Sequence, residues 1–367
     1  MKAMSNQIKP RGFPDPYYVF RAFTCFGFVT QWVVMMANGS FMAMLLTNWK
    51  GVFPTGTPVK TSWTGIWPVD FLLGLLVVFF GAVNNLSDLP DIGPYLMLVD
   101  LVFALVVFNM MTLVEDRRNR KTGSLRQPAF WQFLWNWCGA ASVLPAYSYL
   151  YLQKRSKTSP PLPVNQARAL PVTAVWSLFI SLPILLPATL GSKPSRIQDA
   201  VLIWFFGPLT LSLFQDFAAS VMSRYSFLGP ARPVTVAYGV VGAVSALAHI
   251  VVAIWARLTE GVSWSRVYCP NHAAVQAGPL HMTEGAMLFM QYDHVVIYLC
   301  VLGLGVYLLE VEKLFTLKHS TDARRVKGRM LTLVVLTVVA GPGAGLAWLL
   351  CQREKDANFG KAEKRSE

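Results

Sequence analysis

The chain has 367 residues, 54% hydrophobic and only 14% charged, with a mean hydropathy of +0.44 and a formal net charge of +13. So little polar surface cannot cover so much apolar surface, which excludes a soluble globular fold. A nucleic-acid-binding module is excluded too, because the basic residues sit in segments between apolar runs and build no face on a soluble domain.

Residues 1–18 form a polar N-terminal tail, and the apolar run that follows lacks a small-residue cleavage site, so it reads as retained. Nine apolar stretches then succeed one another: 19–46, 67–86, 93–114, 129–152, 170–190, 201–222, 234–256, 285–309 and 330–351. Roughly 20 apolar residues cross the hydrocarbon core, and helices satisfy their own backbone there. The expectation is an all-α, polytopic transmembrane bundle of eight or nine spans, a single domain over 19–351, with a polar tail at 352–367. On a nine-span topology lysine and arginine divide evenly between the two sides, so the positive-inside rule gives no orientation. An interfacial first stretch would leave eight. The basic clusters between stretches (Arg117, Arg118, Arg120 and Lys121; Lys154, Arg155 and Lys157) suit anionic headgroups. The five cysteines form no motif, and no disulfide framework is expected.

Acids within apolar stretches are functional candidates by default. Asp100 is the deepest, and an acid buried there without a partner keeps its proton at neutral pH and can donate it. Asp216 follows Gln215 late in 201–222, and Asp293 stands between Gln291 and His294 in 285–309. Gln291 and His294 share a helix face and Asp293 points elsewhere. In 129–152, Gln132 and Asn136 are spaced i, i+4, as are Trp131 and Trp135 on the adjacent face. Polar pairs in a span face the bundle, as helix–helix glue or cavity lining. Trp32, Trp135 and Trp204 lie deep enough to wall a cavity, where an indole face attracts a cation.

The connection 257–284 holds Cys269, His272 and His281 and reads as a cover over the bundle mouth. It lacks a second cysteine pair for zinc. His249 and His294 meeting as axial haem ligands is a minor alternative. Asp88 and Asp91 lack the spacing of a magnesium–diphosphate motif, and no P-loop, serine triad or glycine-rich nucleotide turn appears. No metal and no cofactor is expected.

The run Trp135-Asn136-Trp137-Cys138-Gly139-Ala140-Ala141-Ser142-Val143-Leu144-Pro145-Ala146-Tyr147 is followed by Ala167-Arg168-Ala169-Leu170-Pro171. Next come Gln198-Asp199-Ala200, Trp204-Phe205-Phe206-Gly207-Pro208 and Gln291-Tyr292-Asp293. This order of features resembles fungal integral-membrane terpene cyclases of meroterpenoid pathways, of the macrophorin and ascochlorin type. The resemblance implies residence in the endoplasmic reticulum membrane and a lipophilic prenylated substrate, cyclised after protonation of a terminal alkene or epoxide. It implies no metal or nucleotide. Depth within the stretches, rather than the family pattern, nominates Asp100, Asp216 and Asp293 as the pool holding the acid. Trp32, Trp135 and Trp204 would wall the cavity, and Gln132, Asn136, Gln215 and Gln291 would orient the donor or take the final proton. A transporter or receptor with buried acids is the alternative.

Overall fold

The computed structural model describes residues 14–118, 127–154, 161–224, 232–312, 314 and 321–366. Most of the expected N-terminal tail, together with Arg120, Lys121, Arg155 and Lys157, lies outside the described residues. The described chain is helical, and its β structure is a single isolated bridge between Val52 and Pro58.

Helix α1 (Pro16–Ala37) carries a π-helical turn at Val29–Val33. It leads to α2 (Ser40–Lys50), α3 (Trp67–Asn84) and α4 (Gly93–Arg118). Next are α5 (Pro128–Cys138), α6 (Ala140–Lys154), α7 (Val164–Phe179), α8 (Pro194–Phe206) and α9 (Pro208–Arg224). The chain then forms α10 (Pro233–Leu258), the short α11 (Trp264–Tyr268), α12 (His281–Leu308), α13 (Thr321–Val339) and α14 (Gly341–Ser366).

Among the described residues, six helices are long and apolar enough to cross a membrane, or seven if the pair α8 and α9, bent by 53°, counts as one broken span. Eight or nine were expected from the apolar stretches. The stretch 129–152 divides at Gly139, where a φ of +87° ends α5, and 330–351 divides at Gly341, with a φ of +86°. A left-handed turn interrupts the helical hydrogen-bond ladder, so neither stretch is one continuous rod. The second break also places residues beyond 351 in α14 instead of a separate tail, and Arg353 and Glu354 are buried.

Helices apolar on every face belong inside a bundle. α4 is such a helix: 83% of its most apolar window is buried, with α10, α12, α14 and α7 packed around it. α12 is the second core helix, against α1, α2, α3 and α6. α1 crosses α6 closely at Gly27, where a Cβ would collide with the backbone of Ala141. The outer helices turn Phe28, Val33, Phe179, Leu213, Phe217, Leu247, Ile254 and Val339 outward. An apolar outer surface of that extent fits a membrane protein.

α11 closes over one end of the core. The two terminal nitrogens of Arg266 donate to the two carboxylate oxygens of Glu284, each at 2.6 Å, and its Nε donates to Asp91 at 3.1 Å. Burial works against the Arg266 charge, but Glu284 and Asp91 more than offset it and hold the guanidinium above its usual pKa. The opposite end is closed by buried ion pairs. Arg353 donates to Glu115 at 2.9 Å and to the Tyr151 hydroxyl, while Arg118 donates to Glu354 at 2.6 Å.

Candidate active site in an aromatic cavity

Between α1, α2, α3, α4, α5, α8 and α12 lies a cavity of about 270 Å³. Its wall includes Trp32, Met35, Phe41, Phe79, Phe80, Trp135, Trp137, Trp204 and Phe289. The rings meet edge to face: Trp32 on Phe289 at 5.7 Å, Phe79 on Phe289 at 5.2 Å and Phe80 on Trp204 at 4.9 Å between centroids. Among the described residues that line it, Asp293 is the only ionisable one.

The chain secures that carboxyl with local irregularities. The π turn of α1 carries Gln31 and Trp32. Gln31 Nε2 donates to Asp293 Oδ1 at 2.7 Å, and its Oε1 accepts from Ser142 Oγ at 3.0 Å. Because α5 ends at Gly139, α6 begins beside α12, and the Ala141 amide donates to the same Asp293 oxygen at 2.6 Å. A carboxyl at a helix N-terminus meets free N–H groups and the positive end of the dipole. Trp32 Nε1 donates to the Cys138 carbonyl at 2.8 Å, binding the π turn to the last residue of α5. At Gly139 a Cβ would stand 2.5 Å from Gln31 Oε1 and 2.7 Å from Phe289, so both backbone angle and space require glycine.

Of the residues nominated from the sequence, Trp32, Trp135, Asn136, Trp204 and Asp293 line this cavity. The others lie elsewhere. Asp100 is buried, yet partnered: His249 Nδ1 lies 2.7 Å and His294 Nε2 3.5 Å from its Oδ2. Asp216, its side chain half exposed, pairs with Arg117 at 3.1 Å and accepts from Gln166 at 2.9 Å. Gln132 donates to Thr112 Oγ1 at 3.4 Å, and Gln215 to the Gln166 carbonyl at 2.9 Å. Gln291 donates to the Arg266 carbonyl at 2.9 Å and so fastens α12 to α11. Gln31 was not nominated, although an amide within an apolar stretch beside a deep tryptophan was a usable signal. Gly139 lies in the family-like run, where its left-handed turn carries no local signal beyond the glycine itself.

Consecutive residues of α12 thus serve two places, Asp293 the cavity and His294 a second polar cluster. There Asp100, His249 and His294 bring their donor atoms within 4.8 Å of one another. The three could hold a metal ion. No second group of this kind is found among the described residues.

The model of the CtvD domain matches residues 17–356, nearly the whole chain and every element around the cavity. The chain belongs to the CtvD domain family. As a CtvD-domain protein it is similar to terpene cyclase DEP1 of Fusarium langsethiae, at 28% identity covering 88% of this chain and 94% of that one. It is similar also to terpene cyclase DEP1 of Alternaria brassicicola, at 27% identity with the same coverage. Terpene cyclase alnG of Emericella nidulans is 28% identical over 81% of this chain and 82% of its own length. No solved structure matches the chain. The family resemblance read from the sequence is therefore borne out.

Proposed function

We propose that this chain is a membrane-bound terpene cyclase in which Asp293 protonates a lipophilic prenylated substrate held in the aromatic cavity. The observation that carries the reading is one carboxyl, alone among ionisable groups of the described lining residues, on the wall of an otherwise nearly apolar chamber. The relatives named terpene cyclases support it.

Asp293 Oδ1 is occupied by two N–H donors, so the transferable proton belongs on Oδ2. The π electrons of a terminal alkene take that proton to form a C–H bond and leave a carbocation; with an epoxide, the ring oxygen takes it and a C–O bond breaks. Gln31 and the Ala141 amide then stabilise the carboxylate just formed, as fixed dipoles aimed at developing charge do. The next double bond attacks the cation and closes a ring. Indole and phenyl faces on the wall stabilise the migrating charge by about 2 kcal/mol when desolvated, and the apolar lining excludes water that would quench it early. Loss of a proton ends the sequence, and the Asp293 carboxylate receives it. The sequence is an isomerisation, with no redox step and no nucleotide.

The test is Asp293→Asn in microsomes supplied with a prenylated phenol. The amide preserves size but carries no transferable proton, so product should fall to background while the protein remains in the membrane at wild-type level. Wild-type product formation by that variant would overturn the reading.

A further inference from the structure

We propose that Asp100, His249 and His294 form a buried site for one divalent transition-metal ion of the zinc or ferrous class. The proposal stands independently of the reading of the cavity.

Each residue comes from a different helix, α4, α10 and α12, and they are 1%, 2% and 3% exposed. The separations of 2.7 and 3.5 Å from Asp100 Oδ2 to the imidazole nitrogens bracket the spacing of about 3.4 Å between donors on a tetrahedral ion with bonds of ~2.1 Å. A hydrogen-bonded aspartate–histidine pair would account for His249 alone. It does not account for His294, whose Nε2 stands 3.5 Å from the same oxygen without a well-formed hydrogen bond, or for the Tyr268 hydroxyl that also faces Asp100. Buried polar atoms that lack well-formed hydrogen bonds are uncommon, and two imidazoles and a phenol turned on one carboxyl leave room for a ligand among them.

The donor set selects the ion. Two imidazoles and a carboxylate suit zinc and non-haem iron, whereas calcium and magnesium call for oxygen on every side. Tyr268 closes the cluster from α11, its ring 5.5 Å from that of His249 and 5.1 Å from that of His294, with its hydroxyl facing Asp100. The ion would pin three helices together. The spacing of these residues along the chain is that of no metal motif, and the fold brings them together.

The experiment uses the full chain purified from membranes in detergent. Total metal is measured by mass spectrometry, then the protein is stripped with a strong chelator and its thermal midpoint followed as zinc alone is added. The expectation is close to one zinc or iron per wild-type chain and a midpoint that rises with zinc, because an ion bound by the native state stabilises it. His249→Ala and His294→Ala should lose the metal and the shift, and His281→Ala, at the first residue of α12, should keep both. If the alanine variants do not accumulate, His294→Asn replaces them. Wild-type protein with neither metal nor a zinc-dependent midpoint would overturn the proposal, and so would equal metal in wild type and histidine variants.

Discussion

Gln31 reaches Asp293 from a turn that a regular α-helix would not present, and its donated hydrogen bond at 2.7 Å strengthens as the carboxyl gives up its proton. A hydrogen bond to a charged group contributes about 1.5–3 kcal/mol. Gln31→Leu should therefore slow product formation roughly tenfold to a hundredfold, at about 1.4 kcal/mol per tenfold, with little change in abundance. Time courses in microsomes matched for protein would show it. Gly139→Ala acts on the same place through the backbone. Its Cβ meets Gln31 and Phe289, and a φ of +87° is foreign to alanine. The thermal midpoint in detergent should fall along with the rate. Trp204→Leu retains bulk but removes a ring face, so early-deprotonated or partly cyclised products should appear; an unchanged product profile would place the migrating charge elsewhere. Asp293 and the tryptophans could be read from the sequence because their signal is local: a polar or indole side chain in an apolar run. Asp100 could be found by the same signal, but its partner His249 stands 149 positions away and no local pattern joins them.

Helices α4 and α14 share a charged end that the sequence makes look like a connecting loop and a separate tail. Arg353 lies between Glu115 and Tyr151, and Arg118 between Glu354 at 2.6 Å and Glu115 at 3.8 Å. Removing one member of a buried ion pair strands the other, at a cost of about 3–5 kcal/mol. Arg353→Ala should lower the thermal midpoint and the yield, and adding Glu115→Gln should recover part of the loss, as coupled residues do. The double variant falling by the sum of the single effects would show that the pair is not coupled. The apolar stretches were legible as helices because hydropathy is additive over a window. Their breaks were not, since the turns at Gly139 and Gly341 depend on what packs beside them: Gln31 and Phe289 in one case, His249 in the other.

The whole molecule distributes polarity by radius: polar clusters at the core and ends, aromatic chamber within, apolar belt without. Leu247 of α10 is 62% exposed near the middle of its helix, and Leu258, at 79%, is the helix's last residue. Arginine at the centre of a span costs about 2.5–3.5 kcal/mol on insertion scales, while near an end it snorkels. Leu247→Arg should thus reduce the amount of protein resistant to carbonate extraction, and Leu258→Arg should not. Equal behaviour of the two would mean that this face of α10 does not meet lipid.

The π turn at Val29–Val33 also divides the first helix by its tolerance of length change. Each residue of a regular helix advances the chain by about 100° and 1.5 Å. A π turn already holds one residue more than an α turn, so losing one there would relax it to ordinary α-helix and leave the flanking segments nearly in phase. Losing one from the regular helix between Phe20 and the turn would swing the preceding segment by that full angle: Phe20, now fully buried beside Tyr307, would leave its seat, or Gln31 would leave Asp293. A single-codon deletion in that regular stretch, harmless in hydropathy, would act as a phase error between the helix that enters the bundle and the acid it holds.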